Sequence, residues 1–339
     1  MKALVTGSSG FIGGRLAAEL ARRGHDVVGL VRRTSRTGAL ARLPVKLAVG
    51  DLRDPGSLDA AVAGRDVVFH LAGVVQAVDD REFEAGNARG TRHLVEACLR
   101  SAPRLARFVL VSSIAAGGPS GPDRPATEAD EPRPVSAYGR SKLEAERIVL
   151  GAAGRLPATI IRPPNVIGPG SKELEQAIGL LRRRIVPVLG DDRPRTSLID
   201  VDDLVEALIL AATDARAAGQ TYYVTDGRAY AWPEITAALA EELGLGRLRL
   251  RVPYRAQIAA AALAESAARL TRRPPALTRE IVRSGREYFW IYDGSKIVRE
   301  LGFLPRFPMR DAVRRTVEAS RAGRPASPAA APGQGAGGR

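Results

Sequence analysis

A short apolar strand runs straight into three spaced glycines and then into a helix, and this order at the start of the chain limits the possible folds more than any later segment. Ala3 to Val5 leads into Gly7, Gly10 and Gly13, after which Ile12, Leu16 and Leu20 fall on one helical face and Arg15, Glu19 and Arg22 on the other. Glycines let a backbone turn tightly and approach a bound group closely. The helix that follows offers unpaired N–H groups and a partial positive charge at its start. Together they predict an anion cradle, although the G-x-x-G-x-x-G spacing departs from the commoner G-x-G-x-x-G of dinucleotide sites.

Alternation continues through the first half of the chain, in the manner of a parallel sheet. Strands are predicted at Lys2 to Val5, Asp26 to Val31, Val45 to Val49, Val67 to Leu71, Phe108 to Ser112 and Ala158 to Arg162. Helices fit between them at Phe11 to Arg23, Pro55 to Ala63, Phe83 to Ser101 and Ala137 to Ala152. Pro163-Pro164 and Gly168-Pro169-Gly170 then break the pattern, so a second region begins there. Val201 to Ala212 has helical periodicity, Thr221 to Val224 reads as one more strand, and the chain from Trp232 is helical apart from a strand-like run at Tyr288 to Tyr292. Residues 321–339 carry no periodic apolar pattern and are expected to be a disordered tail.

Composition excludes several classes. With 339 residues and 45% hydrophobic content the chain can bury a full core, in one large or two smaller domains. A single cysteine, Cys98, cannot form an internal disulfide, which points to a reducing, cytoplasmic setting. Ala3 to Val5 is too short for a signal peptide, and the longest apolar stretch, Ile258 to Ala264, falls far below the ~20 residues of a membrane span. The net charge of +14 is scattered rather than gathered on one element, so nucleic acid is not an expected partner. Arg255 to Arg273 could form an alanine- and leucine-rich amphipathic helix flanked by arginines; packing on its own domain accounts for it more simply than a peripheral membrane contact.

Lysine is scarce, and that makes one lysine conspicuous. Of 51 basic residues only Lys2, Lys46, Lys142, Lys172 and Lys296 are lysine, so Lys142 is the one most readily explained by chemistry, standing four residues after Tyr138. On a helix the two share a face about 5–6 Å apart at Cβ, close enough for an ammonium to favour ionisation of a phenol.

Thr6-Gly7-x-x-Gly10-x-x-Gly13 followed by Tyr138-x-x-x-Lys142 resembles the short-chain dehydrogenase/reductase superfamily. Over residues 1–320 the length and downstream motifs are similar to its extended branch of epimerases, dehydratases and hydroxysteroid or flavonol-type reductases. The resemblance implies a Rossmann α/β fold: a doubly wound parallel sheet from residues 1–163 and 197–225, and a smaller, mostly helical substrate-binding region from 164–196 and 226–320. A homodimer is implied as well, with the helices at Phe83 to Ser101 and Ala137 to Ala152 paired across a two-fold axis.

The same resemblance assigns the site. Gly7, Ser9, Gly10, Phe11, Ile12 and Gly13 would hold a nicotinamide dinucleotide, Asp51-Leu52 would meet the adenine, and Leu71-Ala72-Gly73 and Pro163 would lie along the cofactor. NAD-dependent relatives close the second strand with an acidic residue. Here Val31 stands at that position before Arg32 and Arg33, which favours NADP over NAD because a guanidinium can pair with the 2′-phosphate. Ser113, Tyr138, Lys142 and Asn87 would form the catalytic centre, Asn87 by a hydrogen bond near it; His70 reads as a packed histidine. Tyr138 would exchange the proton, Lys142 would lower its pKa and hold the nicotinamide ribose, and Ser113 would orient the substrate oxygen. Asn165 and Arg195 fall in segments near the substrate, and no metal ligands are assigned.

Ser113 is followed by Ile114-Ala115-Ala116, where sugar dehydratases carry an acidic pair, so elimination of water is not expected. Between the remaining activities, Val31-Arg32, the apolar stretch from Tyr254 to Leu270 and the aromatic run Tyr288-Phe289-Trp290 favour oxidoreduction of a hydrophobic alcohol or ketone. The alternative is a nucleotide-sugar epimerase with tightly held NAD.

Overall fold

Strands buried on both faces read as near-continuous apolar runs, and the middles of this chain's central strands do. In the computed structural model, which describes residues 1–183, 187–188, 195–245, 250–251, 253–271, 275 and 277–322, β1 (Lys2–Thr6), β2 (Asp26–Val31), β3 (Lys46–Val49), β4 (Val67–His70), β5 (Arg107–Val111) and β6 (Ala158–Arg162) pair in parallel. A seventh strand, β7 (Thr221–Tyr223), joins beside β6. The order across the sheet is β7-β6-β5-β4-β1-β2-β3, so the direction of growth reverses between β1 and β4. Ligands collect at such a reversal, beyond the carboxyl ends of the strands.

Helices cover both faces. Leu16 and Leu20 of α1 (Phe11–Arg22) pack on one side with Leu204 and Leu208 of the helix Val201–Thr213 and with Ile297 and Leu301 near the C-terminus. On the other side Leu94 and Cys98 of α2 (Gly90–Ser101) meet Ala145 and Val149 of α3 (Ala137–Gly151). Burial pushes the Cys98 thiol up to about 12, so it behaves as a small apolar side chain.

The second region contains more sheet than the sequence suggests. Three short strands, Asn165–Ile167, Arg195–Asp200 and Ala229–Ala231, form a separate sheet with Arg195–Asp200 in the middle, so one strand crosses the expected boundary at residue 197. Helices Lys172–Arg182, Trp232–Glu242 and Met309–Arg321 enclose a core of Leu174, Ile178, Ile235, Leu239, Val313 and Val317 against it. Asp203, fully buried, accepts the backbone N–H groups of Arg306 and Phe307 at 2.9 Å and fastens the C-terminal segment to the main sheet's helical layer.

Other differences from the predicted elements have local causes. The single helix anticipated from Phe83 to Ser101 is a short turn capped by Asp79, then a π-helical stretch Glu84–Arg89, then α2; a 3.6-residue periodicity cannot register the extra residue of a π turn. Tyr288 to Tyr292 makes isolated bridges to Ser120, Ala126 and Thr196 instead of a strand. The amphipathic segment forms the helix Tyr254–Thr271, which packs against Arg279–Glu287 through the Glu265–Arg279 pair and leaves Leu263 73% and Leu270 87% exposed. Among the described residues no helix is long and apolar enough to cross a membrane. Most of the expected tail, residues 323–339, lies outside the described residues.

Two glycine substitutions separate packing from propensity. A Cβ at Gly13 would sit 2.2 Å from the Gly7 carbonyl oxygen, a backbone atom that cannot swing away. Gly13→Ala should lower stability by about 1–3 kcal/mol. Gly179, exposed inside a helix with nothing within 4 Å of a Cβ, is the control. Gly179→Ala should raise stability by up to about 1 kcal/mol, and chemical denaturation of both variants checks the contrast.

Candidate active site

The glycine turn is shaped by contact with the neighbouring strand end. Gly7 has φ +69°, and a Cβ there would lie 2.8 Å from the Ala72 nitrogen, so the turn presses directly on Leu71-Ala72. Thr6 Oγ1 reinforces the junction by accepting the N–H groups of Leu71 at 3.2 Å and Ala72 at 3.0 Å. Helix α1 begins at Gly10 without a side-chain cap and without an acidic residue in its first turn. Its opening amides and partial positive charge are therefore available to an anion, with exposed Ser9 beside them. An uncapped helix start behind a turn this tight fits a pyrophosphate.

Past β2 the chain turns sharply, with the Arg32 N–H donating to Ser35 Oγ at 3.0 Å, and carries Arg32 and Arg33 outward as exposed cations. Asp51, just beyond β3, is held below the usual carboxylate range: burial opposes this, but the N–H and guanidinium of Arg53, with the charge of Arg32, outweigh it. Leu52 is fixed by its carbonyl, which accepts from His93 Nδ1 at 2.7 Å. No carboxylate closes β2, whose last residue is the buried Val31.

At the other end of the cradle, Ser113 follows β5 and caps the short helix Ile114–Gly117, its Oγ accepting the Ala115 N–H at 3.1 Å. The Ile114 N–H donates to the Pro163 carbonyl at 3.0 Å, which joins this turn to the end of β6. Ser136 caps α3 through the Gly139 N–H, which sets Tyr138 in the helix's first turn beside the Ser113 side chain. Phe83 meets the Tyr138 ring edge-on at 5.9 Å. Partial burial pushes the phenol above its ordinary value, and the neighbouring Ser113 hydroxyl pulls it part of the way back. Lowering of this pKa by Lys142 is not what governs the phenol here.

One turn further along α3, Lys142 is 6% exposed and donates from Nζ to the Val111 carbonyl at 2.6 Å. Burial lowers its pKa to about 8, against the opposing charge of Glu146. Gly73 stands over this group: a Cβ there would be 4.0 Å from Lys142 Nζ and 2.9 Å from Asn87 Oδ1. Asn87 itself is engaged at both ends by the protein, accepting from the Val74 N–H at 2.7 Å and donating to the Val74 carbonyl at 3.0 Å and Ser141 Oγ at 2.9 Å. It braces the segment after β4 against α3.

His70 is spoken for in the same way. Thr6 Oγ1 already accepts two N–H groups, so its proton goes to His70 Nδ1 at 2.8 Å; His70 Nε2 donates to Thr91 Oγ1 at 3.0 Å, and Thr91 donates to the Asn87 carbonyl at 2.6 Å. Burial, with Lys142 nearby, drops its pKa to about 3, so the ring is neutral.

The structure thus gathers Gly7, Leu71 to Gly73, Asn87, Ser113, Tyr138, Lys142 and Pro163 at the carboxyl edge of the sheet, with Arg32, Arg33, Asp51 and Leu52 at its far end. Asn165 and Arg195 belong to the small sheet instead: Asn165 Nδ2 donates to Thr196 Oγ1 at 3.0 Å, and Arg195 reaches the Ala229 carbonyl at 3.5 Å. Sequence reasoning missed a buried cluster behind Lys142. Glu146 takes both arms of Arg162 (Nε to Oε1 2.9 Å, Nη2 to Oε2 2.6 Å), and Arg162 Nη1 donates to Tyr223 Oη at 3.0 Å. Continuation of the four-residue spacing from Tyr138 through Lys142 to Glu146 was the available signal. No group of His, Cys, Asp and Glu among the described residues could hold a metal ion.

Comparison with known proteins agrees with this geometry. A family model described as "NAD dependent epimerase/dehydratase family" matches residues 3–225. The chain is 31% identical to a 4-hydroxy-2-methyl-3-oxo-4-farnesyl-3,4-dihydroquinoline-1-oxide ketoreductase of Stigmatella aurantiaca, over 97% of this chain and 99% of that one. It is 33% identical to sterol demethylase protein B of Methylococcus capsulatus, over 90% and 94%. Among solved structures it resembles MoeE5 in complex with UDP-glucuronic acid and NAD, with a TM-score of 0.76 at 27% identity over 95% of this chain and 100% of that one. The UDP-glucose 4-epimerase of Thermotoga maritima shares the fold, with a TM-score of 0.79 at 22% identity over 95% of this chain and 99% of that one. The chain belongs to the NAD-dependent epimerase/dehydratase family, the extended short-chain dehydrogenases/reductases, and is an NAD(P)-dependent enzyme.

Proposed function

We propose that this enzyme reduces a ketone on a hydrophobic substrate to a secondary alcohol with NADPH, through Ser113, Tyr138 and Lys142. The observation that carries the reading is the half-buried Tyr138 phenol at the start of α3, set beside Ser113 and one turn before Lys142; like any phenol it is protonated at neutral pH, and burial holds it further on that side. A protonated phenol is an acid in waiting, as reduction requires when the carbonyl oxygen gains charge. The bound nicotinamide supplies the hydride. Tyr138 gives its proton to the developing alkoxide, Ser113 donates a hydrogen bond to the same oxygen, and the Lys142 ammonium keeps the local field positive while it occupies the ribose side of the site.

Hydrophobicity of the substrate is supported by relatives whose names specify a farnesylated quinoline oxide, ceramide and a sterol, and by the alanine- and leucine-rich helix Tyr254–Thr271. NADP preference rests on Arg32 and Arg33 standing where no acid closes β2. We read the enzyme as a cytoplasmic homodimer joined through α2 and α3, able to meet a membrane surface with its exposed leucines at 263 and 270. A second reading, epimerisation of a nucleotide sugar, draws on the UDP-sugar complexes among similar structures.

An NADPH-oxidation assay on a panel of apolar ketones, run beside extraction of bound cofactor, tests the reading; tightly bound NAD without net turnover would contradict it. Tyr138→Phe should lower kcat by about 10²–10⁴-fold while cofactor affinity, measured by fluorescence titration, stays near wild type. Arg32→Asp should move the kcat/KM preference from NADPH to NADH, and equal loss with both would refute the assigned 2′-phosphate contact. The reductive rate should fall as pH rises through about 8: Lys142 is cationic below that value and neutral above it, so the field that favours the alkoxide disappears on the alkaline side. A pH profile of kcat/KM checks the limb.

A further inference from the structure

We propose that the buried Glu146–Arg162 ion pair is a positioning device for the catalytic centre, holding α3 against the Ser113 turn and setting the field that Lys142 experiences. This inference rests on the Ser113–Tyr138–Lys142 reading above and adds two residues that touch neither cofactor nor substrate.

The geometry is that of a built unit. Glu146 and Arg162 are 1% and 5% exposed and joined by two parallel hydrogen bonds, so neither charge has access to water. Glu146 lies one turn beyond Lys142 on the helix that carries Tyr138; Arg162 ends β6, next to the strand that carries Ser113. The pair therefore locks helix to sheet directly behind the centre. Tyr223, from β7, accepts from Arg162 at 3.0 Å and stacks within 4.6 Å of Tyr292. The Tyr292 hydroxyl in turn donates to the Gly118 and Ile114 carbonyls of the turn that Ser113 opens. Gly117 completes the contact, since a Cβ there would lie 2.2 Å from the Tyr223 hydroxyl. One cluster thus touches both elements whose relative placement sets the approach of Tyr138 to Ser113.

Charge adds a second function to the same atoms. The groups around Lys142 are Tyr138 and Glu146 on its own helix, the neutral His70 from β4, the Val111 carbonyl of β5, the Asn87 amide from the π-helical stretch, and Arg162 from β6 behind Glu146. Beyond Arg162 stand Tyr223 and Glu128, the latter accepting the Tyr223 N–H at 2.7 Å. Glu146 is the group that holds the Lys142 proton on against the effect of burial, and Arg162 cancels part of its charge. Two substitutions that break the same ion pair should therefore act on Lys142 in opposite senses. Glu146→Gln leaves Arg162 uncancelled and makes the ammonium easier to deprotonate. Arg162→Met leaves Glu146 uncancelled and makes it harder. A merely structural pair would give both variants the same defect.

The scarcity of lysine makes the test direct. With five lysines in the chain, protein labelled with ¹³C at lysine Cε gives a spectrum in which Lys142 is assigned by its loss in Lys142→Arg. Its titration is followed without substrate or cofactor, so the result is separable from any failure of the reductase reading. Glu146→Gln should titrate about one pH unit below wild type and Arg162→Met about one above. Glu146→Gln/Arg162→Met, which removes both charges and leaves none buried alone, should titrate between the two single variants, below wild type by less than Glu146→Gln alone; it also serves as the folded reference should a single variant unfold. Shifts of both single variants in the same direction, or a double variant displaced as far as either single, would overturn the proposal.

Discussion

The hydrogen bond from Lys142 Nζ to the Val111 carbonyl, 2.6 Å long and closed to water, joins the helix that carries the phenol to β5, the strand that Ser113 follows. A buried ammonium with so few partners is costly in isolation, and the surrounding structure is arranged to keep it. The Glu146 carboxylate lies one turn away, the carbonyl end of β5 points at it, and a neutral His70 adds no competing charge. With helix and strand tied at this atom, the approach of Tyr138 to Ser113 follows from the geometry of α3.

Parallel topology supplies the rest of the site. Because the sheet reverses between β1 and β4, the glycine turn after β1 and the Leu71–Gly73 segment after β4 open to opposite sides of one crevice, and β5 brings Ser113 to its rim. Thr6, His70, Thr91 and Asn87 form a continuous hydrogen-bonded line through the floor of that crevice. Each donor in the line has one acceptor, which leaves the crevice floor rigid.

Much of this was readable from the chain because its causes are local. Six strands stood out as apolar runs, five of them buried on both faces, and Gly7 and Gly13 as positions where a tight turn meets a helix. Tyr138 and Lys142 needed more than their spacing: a four-residue interval says only that two side chains share a face, and the family resemblance supplied Ser113 as their partner. What the sequence concealed depends on contacts across long separations. Two strands of the small sheet are only three residues long, too short to carry a period, and both pair with the strand Arg195–Asp200. Asn87 was placed near the site, but not its bracing role, since the π turn that orients it breaks helical periodicity. Glu146 and Arg162 stand sixteen residues apart and meet only because β6 lies beside β5. The phenol's high pKa likewise arises from burial, which no spacing reports.

The central claim is that this crevice presents a nicotinamide to an acid formed by Tyr138 with Ser113. A crystal structure of the enzyme with NADPH tests it most directly. The account predicts the pyrophosphate on the opening amides of α1, the 2′-phosphate beside Arg32, the ribose against Lys142, and the reactive face of the nicotinamide turned toward the Tyr138 hydroxyl. A nicotinamide bound with that face turned away from Tyr138, or a dinucleotide seated outside the Gly7–Gly13 turn, would contradict it.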